Sequence, residues 1–73
     1  MNIKYIKEKI EKNKEKNLKF IFKGARNQTE EFYGIIENTY NCIFTVKLTN
    51  NCNIIKSFSY ADVLTNSLEI FIN

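Results

Sequence analysis

Few side chains in this 73-residue chain could carry out chemistry, and the missing types decide as much as those present. There is no histidine, there is one aspartate, Asp62, and there are two cysteines, Cys42 and Cys52. Without histidine neither a serine nor a cysteine triad of the usual kind can be assembled, and two cysteines alone cannot complete a four-ligand zinc site. The thiols also fail a distance test. Cys42 begins an expected strand and Cys52 lies beside the turn at its far end, so roughly 25 Å of extended chain separates them, far beyond disulfide reach. Both are read as free. Asp62 has no second acid at a suggestive spacing and no identifiable nucleophile, so it is read as capping the turn it begins. No catalytic residue, metal or cofactor is assigned.

Charge carries the stronger functional signal. Residues 1–26 hold nine of the eleven basic residues against Glu8, Glu11 and Glu15, whereas residues 27–73 hold Lys47 and Lys56 against five acids. A basic front end can meet phosphates, an acidic protein surface or anionic lipid, and it can equally be a solvated face that keeps a small protein soluble. Within it, Lys19, Lys23 and Arg26 are the candidate nucleic-acid or partner-binding residues. Alternation places Lys19 and Lys23 with Ile21 on the solvent face of a strand, and Arg26 sits in the loop that follows. Such a basic strand could track a phosphate backbone, with Tyr33 and Phe71 as the candidates for exposed rings that stack bases.

The elements that must position these residues follow from hydrophobic period. Asn2 to about Lys14 reads as a helix capped by Asn2, with Ile3, Ile6 and Ile10 on one narrow face and a Glu8–Lys12 ion pair on another. That stripe is too small for firm insertion into a membrane and suits docking onto a core. From Leu18 the period changes to two. Leu18, Phe20 and Phe22 define a first strand ending near Gly24, which offers a positive φ to the loop. A second strand runs from about Glu31 to Glu37, with Gly34 marking a bend or bulge. Turn Glu37–Asn41 leads to a third strand with Phe44, Val46 and Leu48 on one face, and Asn50-Asn51 supplies the next turn. Phe58 and Tyr60, then Leu68, Ile70 and Ile72, alternate in two further strands. Between them Ala61-Asp62-Val63-Leu64 breaks the alternation and reads as one turn of 3₁₀ helix, with Tyr60 in the core and its hydroxyl bonded at the rim.

The segment Tyr60-Ala61-Asp62-Val63-Leu64-Thr65 with Leu68-Glu69-Ile70 resembles the most recognisable stretch of the Veg proteins, short chains linked to stimulation of biofilm formation through gene regulation. Gly34-Ile35, Tyr40, Phe44, Val46 and Leu48 are similar in type and spacing to that family's central hairpin. The resemblance implies a non-catalytic modulator of gene expression. It also implies a more basic loop than Ala25-Arg26-Asn27-Gln28, which retains one cation and so weakens any nucleic-acid role carried over.

The expectation is a mainly-β single domain over residues 1–73: an N-terminal α-helix within 1–16 and a small five-stranded antiparallel SH3-like or Sm-like barrel over 18–72. A chain this short buries only about 60% of its unfolded surface, which leaves little room for a deep cleft. No apolar run approaches the roughly 20 residues of a membrane span, and the N-terminus lacks the apolar core of a signal peptide, so the chain is expected to be cytoplasmic. The expected partner is a regulatory protein, or alternatively DNA or RNA bound directly; an open strand edge would also let a second copy pair with the first.

Overall fold

A computed structural model describes residues 2–24, 28–50 and 53–72. In chain order its elements are α1 (Ile3–Lys12), β1 (Asn17–Lys23), β2 (Thr29–Thr39), β3 (Ile43–Leu48), β4 (Ile55–Ser59), α2 (Tyr60–Leu64) and β5 (Leu68–Phe71). The strands form one antiparallel sheet in the order β4-β3-β2-β1-β5. The architecture is therefore mainly β with the helix in front, as expected. Its sheet is not closed, however. No ladder joins β4 to β5, and α2 spans the gap between them.

The sheet curls nonetheless, because its inner face is filled with rings. Phe58 on β4 meets Phe22 on β1 at 5.4 Å between centroids, although two strands lie between them in the sheet. Phe32 and Phe44 also meet Phe58, at 5.9 and 6.1 Å, and Phe32 stacks on Phe20 at 5.2 Å. Aromatic pairs at these separations add to what their area burial contributes. Leu18, Ile36, Val46 and Leu68 complete the buried centre, and Ile6 and Ile10 of α1 close one end of it. Ile3, expected to dock with them, is 38% exposed. It lies in the first turn, nearer solvent.

Local chemistry explains where the elements stop. Asn2 caps α1 as expected, its side chain accepting from the Tyr5 N–H at 2.9 Å. Asn13 ends the helix by donating its side-chain amide to the Lys9 carbonyl at 2.8 Å, and Glu15 turns the chain with φ 68°. The Glu15 N–H then donates to the Ile36 carbonyl, tying the turn to β2. The segment after β4 is one turn of α-helix rather than 3₁₀. Ser59 is its N-cap, and Asp62 completes a capping box: the Ser59 hydroxyl accepts from the Asp62 N–H and the Asp62 carboxylate accepts from the Ser59 N–H, each at 3.2 Å. Asp62 thus caps from the third helical position.

Both glycines differ from expectation. Gly34 sits in regular register between Leu18 and Leu48, and the bulge falls farther on, between Ile36 and Asn38, which lets β2 run to Thr39 instead of ending at Glu37. Gly34 is needed for close approach: a Cβ there would lie 2.6 Å from Val46 Cγ1 and 2.9 Å from the Lys47 carbonyl oxygen. Gly24 does not take a positive φ; its N–H donates to the Gln28 carbonyl at 2.7 Å. Among the described residues the left-handed non-glycine positions are Glu15 and Asn66, and Asn50 is not among them. Asn51 and Cys52 lie outside the described residues, and Cys42 is an exposed free thiol.

Candidate interaction surface

The outer face of the sheet carries the residues singled out for binding. Lys19 and Lys23 do face outward on β1, and register places Lys19 between Tyr33 of β2 and Phe71 of β5. Tyr33 is 52% and Phe71 43% exposed, so both rings are available. The Lys19 ammonium lies 5.6 Å from the centre of the Phe71 ring. Arg26 lies outside the described residues.

Folding changes the electrostatics of this face. Lys19 is paired with Glu31 at 3.5 Å and Lys23 with Glu69 at 2.7 Å. Lys47 is paired with Glu37 at 3.7 Å; on the opposite face, where register sets Lys56 beside Val46 and Glu30 beside Phe22, Lys56 is bonded to Glu30. Every strand lysine therefore has a carboxylate from a neighbouring or facing strand. Exposed pairs of this kind contribute little to stability, but each sets a negative charge beside the cation that an anion would approach. Lys56 also lies over the Phe32 ring at 5.4 Å.

Among the described residues, the cations that remain without a carboxylate belong to the front end. Residues 2–16 carry six lysines against Glu8, Glu11 and Glu15. Among the described residues no ion pair joins Glu8 to Lys12; Glu11 instead accepts from the Thr39 hydroxyl at 3.5 Å. The lysines in the last turn, Lys9 and Lys12, also favour the negative end of the helix dipole. The front-end charge excess is legible in the sequence, but the pairing of Lys19 and Lys23 is not. The acids that pair with those two come from 12 and 46 residues farther along the chain, so no local pattern reveals them.

Tyr60 is the one described group with a clearly displaced ionisation. It is 1% exposed and its hydroxyl donates to the Tyr40 carbonyl at 3.0 Å. Burial, with a smaller contribution from the Glu11 carboxylate, raises its pKa above the ordinary 10.0. This is a structural role, as expected for the rim of the core. Among the described residues no three of the metal-ligating acidic and thiol side chains come together, and no helix is long and apolar enough to cross a membrane.

Compared with known families, the chain matches over residues 1–71 the family described as Biofilm formation stimulator VEG. No curated protein is significantly similar to it.

Proposed function

This chain belongs to the Veg family of biofilm formation stimulators, and we propose that it acts as a non-catalytic regulator that modulates gene expression linked to biofilm formation by contacting a protein partner. The observation that carries the choice of partner is the pairing of Lys19 and Lys23 with Glu31 and Glu69. A phosphate backbone gains affinity by releasing counterions from unneutralised cations. A face whose lysines are already held by carboxylates, with Tyr33, Phe71 and Ile55 exposed among them, has instead the mixed aromatic and charged character of a protein contact. The test is capture from a native cytoplasm with the wild-type chain and with Tyr33→Ala and Phe71→Ala variants. A defined partner retained by the wild type and lost by the variants supports the reading; an eluate of nucleic acid refutes it.

One observation favours a second reading, direct binding of RNA or DNA: Tyr33 and Phe71 flank Lys19 in one row, as a base-stacking platform would require. It predicts a gel shift that weakens steeply with salt and on substituting Lys19, Lys23 and Arg26. No shift at low salt eliminates it.

A further inference from the structure

The free edge of β5 and the flank of α1 border one groove of about 230 Å³, and we infer that it receives an extended, acidic and apolar segment of a protein partner as an added strand. Three observations point there. The first is the backbone. The Lys23 N–H donates to the Ser67 carbonyl, and the register continues through the pairs Ile21–Glu69 and Lys19–Phe71. Because bonded pairs alternate along an antiparallel ladder, Ser67, Glu69 and Phe71 turn their backbone groups toward β1. Ile70, and Ile72 just beyond the strand, turn theirs to the open edge. Among the described residues no backbone group is bonded to them from that side.

The second observation is the floor. Ile6, Ile10, Leu68, Ile70 and Val63 line the groove, with Ile72 and Tyr5 at its mouth 37% and 50% exposed. A strand laid along β5 would turn alternate side chains onto this apolar floor, which is how strand addition obtains specificity. The third is charge. Lys9 lines the groove, Lys16 bonds the groove-lining Asn13 side chain at 3.3 Å, and Lys12 follows Lys9 one turn on. None of the three has a carboxylate partner among the described residues. Glu69 also lines the groove, but its carboxylate is held by Lys23. The C-terminal end of α1 and the turn that follows it are therefore the cationic wall, which selects acidic residues in the incoming strand. A basic segment is repelled by the same wall.

This inference rests on the protein-contact reading, and its test separates the two. The probe is a fluorescein-labelled heptapeptide alternating glutamate and valine, compared with its lysine-valine counterpart and with a single-stranded oligonucleotide. The acidic peptide should bind, the basic one should not, and exchange of the Ile70 amide should slow in the complex. Combined Lys9→Glu, Lys12→Glu and Lys16→Glu substitutions should weaken binding about tenfold while leaving the fold intact by circular dichroism. Equal binding of both peptides, or unchanged Ile70 exchange, overturns the inference. So does an Ile70 amide already protected in a dimer by sedimentation, since a second copy then occupies the edge. In a strain lacking the gene, full restoration of biofilm by the triple variant sinks the groove and leaves the protein-contact reading standing. Oligonucleotide binding in place of peptide binding sinks that reading itself.

Discussion

Substituting Gly34 by alanine tests the packing at the centre of the sheet. The added methyl would stand 2.6 Å from Val46 Cγ1 and 2.9 Å from the Lys47 carbonyl oxygen, where carbon contacts normally settle at about 3.5–4.0 Å. Val46 is fully buried and cannot swing away, and the Lys47 oxygen moves only if β3 moves. Overpacking of this kind costs about 1–3 kcal/mol, and two simultaneous contacts, one to backbone, place it at the upper end. Against this, alanine loses less backbone entropy than glycine on folding, which returns about 0.5–1 kcal/mol. The net loss is about 2 kcal/mol, which for a domain of this size lowers Tm by roughly 8–16 °C. Calorimetry or thermal circular dichroism measures it directly. Pairing the change with Val46→Ala removes one of the two clashes, so the double variant should be more stable than the sum of the single losses predicts, by about 1 kcal/mol or more. A Gly34→Ala protein that melts at or above the wild-type temperature refutes the close-approach argument, as does strict additivity in the double variant.

Three further outcomes follow from the same geometry. Asp62→Ala removes the carboxylate that accepts from the Ser59 N–H but keeps the backbone N–H that donates to the Ser59 hydroxyl, and should cost about 1 kcal/mol; a melting temperature unchanged from wild type would show that the carboxylate half of the capping box contributes nothing. Phe58→Ala removes the ring that Phe22, Phe32 and Phe44 all meet, at a cost of about 3–5 kcal/mol, so urea unfolding should show a chain with little or no native baseline. Tyr60 predicts the alkaline limb of stability. Its folded pKa lies above 10.0 because burial disfavours the phenolate, so its contribution is complete below pH 10 and is lost as the pH rises through 10 toward the folded value, where the unfolded chain ionises first. Absorbance at 295 nm should therefore show the Tyr60 phenol ionising at higher pH in the folded protein than in the unfolded chain, and Tyr60→Phe should remove that difference; a Tyr60 phenol that titrates identically in both states contradicts it.

The chain's local patterns determined its elements. Alternation at Leu18-Lys19-Phe20-Ile21-Phe22 and at Phe44 to Leu48 is a backbone-level signal, since successive side chains on a strand must face opposite ways. Asn2 and Asp62 are legible as caps because capping acts over three residues, whereas Ser59 both ends β4 and caps α2, which places Asp62 at the third helical position and not at the start of the turn. The front-end charge excess and the outward direction of Lys19 and Lys23 were likewise present in the sequence. What only the tertiary structure decided are relations between residues far apart in the chain. Gly34 is required by Val46 and Lys47, which β3 brings across the ladder, so a glycine that resembled a bend is a point of close contact. Lys19 and Lys23 are neutralised by Glu31 and Glu69, and among the described residues the cations without a carboxylate lie within residues 2–16. The gap between β4 and β5 depends on how far the ring-filled sheet curls, which no local period encodes. Sequence period fixes which way each side chain points, and long-range pairing fixes what it meets there.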